Sequence, residues 1–390
     1  MVLSNSAHAL TFDTMTMRTP PHSNAEILDY DPSRNLLVTN DTVNSLVRFY
    51  SLNASDPNKI LDITPLPTTI KTSGEPTSVA LWPDKPYGFA AILDDEPKQN
   101  GTIIAYSTND LNDQLSVSFK TEIGPDCIDI SPDGKWLLVA NEAQGSDQTK
   151  GSISFAKLDA DEPTTLPCIQ LRILDGLAEL TGLEPGKIEP EFIAFDPQSR
   201  FAAVTCQEND LVVIVDLSGD TPTLDGMIEL PECAEPDGVS ILDNIKGSDE
   251  KIGCLIGIAE EGRKDNTGTR KGQTVSFYWI DPSDLSGATL CCRLDVRNVM
   301  NINPNTRCDP EGIVIARIHT QPLAFVGIER QNCVLCLDLT SISQPKLLHT
   351  IPTGPRPEGL ILIEQQDTHY LITANESTNS QGSITVCRVR

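Results

Sequence analysis

Apolar and polar positions alternate along the chain in short, strand-length runs that are separated by turn residues. Residues 124–158, GPDCIDISPDGKWLLVANEAQGSDQTKGSISFAKL, show the unit: a strand, a turn at Pro132-Asp133-Gly134, a second strand, a loop and a third strand. Proline presets φ at the start of such a turn, and glycine accepts backbone angles that other residues avoid. The pattern therefore predicts a β-sheet unit.

Six more copies of this unit follow one another along the sequence. The first strand and its turn recur as AEILDYDPSR, EPTSVALWPDK, EPEFIAFDPQSR, EPDGVSILDN, DPEGIVIARI and RPEGLILIEQQD. A fourth strand follows in each full copy, as in KILDITPL, SVSFKTEI and MIELPE. Repeated four-stranded units of this length are typical of the blades of a β-propeller.

The last copy ends on its third strand, and the segment ALTFDTMT at residues 9–16 can supply the missing fourth. This pairing would close the ring and remove its open edges. We therefore predict an all-β, seven-bladed propeller of four-stranded blades. Residues 1–24 form an N-terminal segment with the closing strand, and residues 25–390 form one domain. The stretch LDGLAELTGLEP is the one short helix that we expect.

Charge narrows the range of partners. The chain carries 55 acidic and 29 basic residues, a net charge of -26. Such a surface repels nucleic acid and anionic membranes, whereas it attracts cations and basic ligands. No run of 18 apolar residues is present, so we expect no membrane span. The first residues lack the features of a signal peptide, and the eleven cysteines fall mostly in apolar runs, so we expect a cytoplasmic location for the chain as given.

Aligning the seven units on their turns places acidic residues at two recurring positions. In each blade the start of the first strand and the end of the second lie at the same end of the central channel. The first position carries Glu26, Thr77, Asp126, Glu191, Asp237, Glu311 and Glu358. The second position carries Asp41, Asp95, Glu142, Glu208, Glu261, Glu329 and Glu376. We therefore expect carboxylates to surround one mouth of the channel.

Carboxylates at close range raise each other's pKa unless cations, basic side chains or backbone N–H groups relieve the repulsion. Hard cations such as Ca²⁺ prefer oxygen ligands of this kind. We predict a divalent cation site, resembling a Ca²⁺ site, with ligands drawn from Glu142, Glu208, Glu261, Glu329, Glu376, Asp41, Asp95, Asp126, Glu191, Asp237, Glu311 and Glu358. The alternative for any one of these residues is a structural bond to the neighbouring blade.

Among these acids, we expect five glutamates at the ends of second strands to face a ligand at the mouth: Glu142, Glu208, Glu261, Glu329 and Glu376. Arg263, Arg330 and Arg356 lie in or beside the same segments and could neutralise part of the charge. The ligand that we expect is a cation or a small basic molecule, with a basic protein surface as a further partner.

Several phrases together resemble a known family. They are AEILDYDPSRNLLVTNDTVNSLVRFY, GPDCIDISPDGKWLLVANEAQ, EPEFIAFDPQ with QENDLVVIVDL, AFVGIERQNCVLCLDL, and PEGL with LITANES. In this order they are similar to the choice-of-anchor I domain family, which comprises YncE-like propellers and propellers resembling YVTN repeats. The resemblance runs from about Ala25 to Val389.

The resemblance implies a seven-bladed propeller that is usually exported and attached to the cell surface, so it leaves an exported location open. Some relatives are labelled alkaline phosphatases or mesenchyme-specific cell-surface glycoproteins. The resemblance supplies no catalytic residues that could be carried over. The phrase AEEGRKDN in the fifth blade is less acidic than the family's phrase at that point.

Four functions remain open from the sequence. The first is a non-catalytic propeller that binds a cation at the acidic mouth. It is favoured because the sequence contains no G-x-S-x-G, Walker A or H-E-x-x-H motif. The second is a metal-dependent phosphoesterase, in which clustered carboxylates would hold the metal ions. The third, a sugar-lactone hydrolase, rests on fold analogy. The fourth is an interaction scaffold whose acidic mouth is only solvated.

Overall fold

Seven four-stranded antiparallel sheets form the molecule and confirm the predicted seven-bladed propeller. The structure is a computed structural model. It describes residues 10–53, 60–94, 99–111, 117–143, 150–158, 171–248, 250–376 and 381–390. We number the blades 1 to 7 along the chain, starting from the sheet that contains Leu28.

In blades 1 to 6 the strands follow one another in sequence order from the innermost strand outward, and in blade 7 the fourth strand is β1. The inner strands are β2 (Leu28–Asp31), β6 (Pro76–Leu81), β10 (Pro125–Ile130), β14 (Pro190–Phe195), β18 (Pro236–Lys246), β22 (Pro310–Ile318) and β26 (Pro357–Gln365). The second strands are β3 (Leu36–Asp41), β7 (Tyr87–Ile92), β11 (Trp136–Asn141), β15 (Phe201–Cys206), β19 (Ile252–Glu260), β23 (Gln321–Ile328) and β27 (Thr368–Asn375).

Third and fourth strands complete the blades. The third strands are β4 (Leu46–Asn53), β8 (Asn100–Ser107), β12 (Ser152–Lys157), β16 (Leu211–Asp216), β20 (Thr274–Asp281), β24 (Cys333–Asp338) and β28 (Ser383–Val389). The outer strands are β5 (Asp62–Lys71), β9 (Val117–Ile123), β13 (Arg172–Ile173), β17 (Thr223–Glu229), β21 (Asp284–Asp295), β25 (Lys346–Pro352) and, for blade 7, β1 (Phe12–Arg18).

The N-terminal strand closes the ring as predicted. β1 pairs antiparallel with β28, so that Phe12 lies opposite Val389 and Arg18 lies opposite Ser383. Blade 7 therefore joins the two ends of the described chain, and the hydrogen bonds between β1 and β28 close the ring. The Arg388 guanidinium adds a contact of 2.5 Å to the Asp13 carboxylate across the same pair of strands.

The hydrophobic core lies between the blades. Seven clusters of buried apolar side chains follow the ring, and each cluster combines residues of two adjacent blades. Second strands are covered on both faces, so every residue of β3, β11 and β15 is buried. This explains why second strands have continuous apolar runs where a half-exposed strand would alternate.

Helix is scarce in this architecture. The predicted short helix is confirmed as α1 (Leu177–Thr181), which packs Leu177 against the core between blades 3 and 4. A second short helix, α2 (Val296–Val299), follows β21 and was not predicted. Single 3-10 turns occupy Pro185–Lys187, Gln207–Asn209 and Glu329–Gln331. In the part of the chain that the structure describes, no helix has the length and apolar character needed to cross a membrane.

Candidate acidic site at the channel mouth

A β-bulge at the start of the inner strand sets the direction of the first acidic position. In blades 2 to 7 the inner strand begins with a proline that pairs with the last residue of the second strand, and the register shifts immediately afterwards. Proline has no N–H to donate to the ladder, and a bulge turns the following side chain away from the sheet pattern. The residues that follow these prolines are Thr77, Asp126, Glu191, Asp237, Glu311 and Glu358.

The acids at these positions surround one opening, together with Glu26 of blade 1. We call Glu26, Asp126, Glu191, Asp237, Glu311 and Glu358 the inner ring. Burial raises the pKa of Asp126 to about 8, and repulsion from carboxylates of other blades, including Glu26 and Asp237, adds to the effect. The structure thus brings together the acids predicted at the start of the first strands.

The other members of the inner ring behave alike, with burial as the first cause. It raises the pKa of Glu26 and of Asp237 to about 7. It raises the pKa values of Glu191, Glu311 and Glu358 well above their usual range, and neighbouring ring carboxyls raise them further. Glu191 keeps a buried oxygen, Oε2, that has no hydrogen-bond partner among the described residues.

The second acidic position is only partly in register. In blades 2 to 7 the residue after the second strand donates its backbone N–H to a carbonyl at the start of the inner strand. The acceptor is the carbonyl of the residue before the inner-strand proline. The donor position is occupied by Leu93, Glu142, Gln207, Glu261, Glu329 and Glu376. Glu208 therefore lies one residue further along than the sequence alignment placed it, and Asp95 lies outside the described residues.

Asp41 has a structural role instead of facing the mouth. It is the last residue of β3 and is fully buried. Its carboxylate contacts Arg48 Nε at 2.6 Å and accepts a hydrogen bond of 3.0 Å from the backbone N–H of Asn24. Asn141 and Asn375 occupy the same position in blades 3 and 7, and both bond to the third strand of their own blade. This position therefore fastens strands together within a blade.

The three predicted arginines form ion pairs with acids of blades 5 to 7 and of the segment after β15, and two of them contact Glu329. Arg356 forms ion pairs with Glu329 and Glu376, and Arg330 contacts Glu329 at 2.8 Å. Arg263 instead contacts Asp210 at 2.7 Å and Glu235 at 3.4 Å. A phosphate-binding role would need these guanidinium groups for the substrate, and the protein's own carboxylates hold them.

Further arginines and acids complete the same side of the mouth. Arg307 Nη2 contacts Glu261 at 2.9 Å, and Arg330 Nε contacts the buried Asp309 at 2.9 Å. Arg307 also pairs with Asp309. These residues belong to blades 5 and 6 and to the segment between them. Glu261 and Asp309 therefore have guanidinium partners, as Glu329 and Glu376 do.

Sequence reasoning missed a third acidic position, directly before the inner-strand proline. It carries Glu75, Glu189, Glu235 and Asp309. Burial is the first cause that raises the pKa values of Glu75 and Glu189, and it raises the pKa of Glu235 to about 7. The signal was present as a repeated acid-proline dipeptide, and the alignment used only the residue after the proline.

A small cavity of about 170 Å³ opens among the carboxyls of blades 7, 1, 2 and 3. We call it the mouth pocket; its acidic lining residues are Glu26, Glu75, Asp126 and Glu358. Within the described ranges, no group of three or more His, Cys, Asp or Glu side chains is arranged to hold a metal ion. Of the predicted metal ligands, those in the inner ring surround the opening, and the described residues form no cluster of three or more.

Glycines explain why the pocket opens on one side. In blades 5 to 7 a glycine follows the acid, and a Cβ at Gly312 would overlap the carbonyl oxygen of Glu358 in the next blade. Gly359 likewise donates its N–H to the carbonyl of Glu26 at 2.9 Å. In blades 1 to 4 the equivalent residues carry side chains, and these line the mouth pocket: Ile27, Ser78, Cys127 and Phe192. Close packing of inner strands thus gives way to a cavity.

Comparison with protein families gives one decisive match. The model of the choice-of-anchor I domain matches residues 26–224, half of the chain. The chain belongs to the choice-of-anchor I domain family. This confirms the family resemblance seen in the sequence, and the matched segment contains the first four inner-ring positions, from Glu26 to Glu191. Among curated proteins, none matches the chain.

Solved structures share the fold of this choice-of-anchor I propeller. Hydrazine synthase of Kuenenia stuttgartiensis is 15% identical, with a TM-score of 0.62 over 95% of this chain and 96% of that chain. Virginiamycin B lyase of Staphylococcus aureus is 13% identical, with a TM-score of 0.55 over 97% and 99%. A putative 6-phosphogluconolactonase of Bacteroides fragilis is 14% identical, with a TM-score of 0.58 over 87% of both chains. These proteins differ in function, so the likeness extends to the fold alone.

Proposed function

We propose that this propeller is a binding protein that takes a cationic ligand at the acidic channel mouth. The observation that carries the proposal is the mouth pocket, which is lined by four carboxyl residues that form no ion pair with a Lys or Arg among the described residues. Their pKa values are raised by burial and by each other, so at neutral pH the site either holds protons or leaves repelling charges unrelieved.

A bound cation relieves this situation. It replaces the protons, and its charge offsets the repulsion among the carboxylates that burial intensifies. Ammonium and guanidinium groups also donate charge-assisted hydrogen bonds, which are stronger than neutral ones. Asn24 Nδ2 and Thr42 Oγ1 donate hydrogen bonds of 2.6 Å and 2.8 Å to Oε1 of Glu26. These two bonds orient the carboxyl of Glu26 for a ligand.

The spacing of the carboxyls favours an organic cation over a bare metal ion. Ca²⁺ requires six to eight oxygen ligands at roughly 2.3–2.6 Å around one point. The ring acids are distributed around the opening, an arrangement that suits a polyamine or a guanidinium-bearing ligand with several donors. Ca²⁺, the metal expected from the sequence, is the alternative ligand, and its binding would draw the carboxyls together.

Isothermal titration calorimetry with spermidine, arginine methyl ester and Ca²⁺, at pH 8 and low ionic strength, tests the proposal. We expect the wild type to bind spermidine, and the double variant Glu26→Gln/Asp126→Asn to lose that binding. The matched control is Asp220→Asn/Glu364→Gln, which removes two exposed charges away from the mouth and should bind as the wild type does.

Melting of the same proteins gives an independent readout. A ligand at one hundred times its dissociation constant adds about 2.7 kcal/mol to the free energy of unfolding, which shifts the melting temperature measurably. Stabilisation by Ca²⁺ alone would assign the site to the metal. Equal binding of spermidine by the wild type and the ring variant, or no binding of any of the three ligands, would refute a cation site at the mouth.

A further inference from the structure

A larger cavity of about 470 Å³ lies within the channel, beyond the inner ring. We call it the channel cavity. It runs between the inner strands, from Glu358 of the inner ring to the turns near Pro32 and Pro132. Its wall is mostly apolar and includes four aromatic side chains: Tyr30, Trp82, Phe192 and Phe195. Cavities of roughly 300–1,000 Å³ with an apolar lining and few polar groups are typical of small-molecule sites.

Two carboxyls interrupt the apolar wall. Asp29 of blade 1 is satisfied by backbone donors, since it accepts hydrogen bonds of 2.7 Å from the N–H groups of Tyr30 and Leu81. Asp129 of blade 3 accepts one of 2.7 Å from the N–H of Ile130 on Oδ1. Its other oxygen, Oδ2, has no hydrogen-bond partner among the described residues. One acceptor that lines the cavity is therefore left open for a ligand.

The charged residues that line the cavity are all acidic, and one of them, Asp31, forms an ion pair of 2.6 Å with Arg34. Its described lining contains no Lys, Arg or His, and it contains five carboxyl residues: Asp29, Asp31, Asp84, Asp129 and Glu358. Burial raises the pKa of Asp129 to about 8 and that of Asp29 to about 6, and repulsion from Asp29 adds to the shift at Asp129. An uncompensated carboxyl in an apolar wall is costly unless a donor pairs with it.

We propose that the channel cavity binds a small molecule with an apolar body and a protonated amine, and that the amine donates to Oδ2 of Asp129. The volume admits a molecule of drug-like size, the apolar wall would bury its body, and the open acceptor fixes its orientation. Tyr30 and Trp82 also belong to the lining, and aromatic rings attract ammonium groups. This site lies beyond the mouth pocket and does not depend on cation binding there.

Fluorescence titration with dansylcadaverine tests the proposal, because this probe joins an apolar ring system to a primary amine. Dansylamide, which lacks the amine, is the matched neutral probe. We expect the wild type to bind dansylcadaverine more tightly than dansylamide. Asp129→Asn should weaken dansylcadaverine about tenfold or more, since a hydrogen bond to a charged group contributes at least that factor. It should leave dansylamide unchanged.

A second variant tests the place of binding without touching the carboxyl. Ala194→Phe adds an aromatic ring to the cavity wall and should abolish binding of both probes. Asp220→Asn, which removes an exposed charge outside both cavities, should leave both affinities as they are. Each variant is first compared with the wild type by its melting temperature, so that loss of binding is not confused with unfolding.

Three outcomes would overturn the assignment. The first is that the wild type binds neither probe or binds both equally well. The second is that Ala194→Phe, folded, still binds dansylcadaverine. The third is that Asp126→Asn weakens this probe and Asp129→Asn does not, which would move the amine to the mouth.

Discussion

At the channel mouth, the acids that flank the inner ring in blades 5 to 7 are bonded to arginines, whereas the acids of blades 1 to 3 are not. Glu261, Asp309, Glu329 and Glu376 form ion pairs with Arg307, Arg330 and Arg356. We call these residues the paired side. Glu26, Glu75, Asp126 and Glu142 form no ion pair within the described chain, and we call them the unpaired side. The same repeat position thus contributes to stability on one side and leaves charge available on the other.

The comparison teaches that charge repetition in a propeller does not imply one role for every copy. In blades 5 to 7, which carry the paired side, a glycine after the inner-ring acid lets inner strands pack closely. On the unpaired side, larger side chains hold the strands apart, and a cavity remains beside unneutralised acids. Removal of charge should therefore have opposite effects on the two sides.

The largest effect is expected on the paired side. Arg356→Gln removes the guanidinium that contacts Glu329, whose side chain is 1% exposed, and Glu376. The change leaves Glu376 without its ion pair and the buried Glu329 with Arg330 alone, so the free energy of unfolding in urea should fall by about 2 kcal/mol, less than for a buried charge that keeps no partner. Lys135→Gln is the control, because its pair with Asp133 is exposed and should contribute less than about 1 kcal/mol. Equal losses in the two variants would remove the distinction between the pairs.

On the unpaired side, loss of charge should stabilise the protein. The folded pKa of Asp126 is about 8 against an ordinary value of 3.8, so its contribution is fully present below pH 3.8 and is lost as the pH rises through 8. Wild-type stability should therefore fall between pH 5 and pH 8. Asp126→Asn should flatten this decline. At pH 8 the free energy of unfolding of the variant should exceed that of the wild type by about 1.4 kcal/mol or more, the equivalent of one pKa unit.

Urea titrations at pH 5, 6, 7 and 8 measure this difference. Asp220→Asn, at an exposed position between β16 and β17, should follow the wild-type curve at every pH. A parallel decline in Asp126→Asn and wild type would show that Asp126 does not titrate as its surroundings require.

The fold was predictable because the turn residues fix the register. Pro132-Asp133-Gly134 and its counterparts mark where each inner strand ends, and the acids at its start follow by counting back along the strand. The closing strand β1 could be predicted because the last blade lacked a fourth strand. These inferences use distances within one blade, which sequence spacing determines.

The site was predictable only in part, because its remaining features depend on neighbouring blades. The prediction of the second acidic position was wrong in blade 4, where the residue after the second strand is Gln207 and the acid, Glu208, comes one residue later. Pairing by Arg356 joins blades 6 and 7, and spacing in sequence does not reveal it. The carboxyls of Asp29 and Asp129 carried a signal, an acid within an apolar inner strand, yet their shared cavity requires the closed ring.

The smallest effect on stability is expected where the unpaired side is given its own cation. Thr77 is the inner-ring position without a carboxyl, and it lines the mouth pocket with Glu26 and Asp126. Thr77→Lys should place an ammonium among these acids and raise stability at pH 8 by about 0.5 kcal/mol, the usual scale for a partly exposed pair. The gain is small because the hydrogen bond from Thr77 Oγ1 to the carbonyl of Pro125, 2.7 Å long, is lost. Thr77→Gln is the uncharged control.

Because the new side chain occupies the place of the ligand, calorimetry should show that Thr77→Lys no longer binds spermidine, whereas Thr77→Gln still does. Undiminished binding by Thr77→Lys would place the cation elsewhere and break the link between the unpaired side and ligand binding.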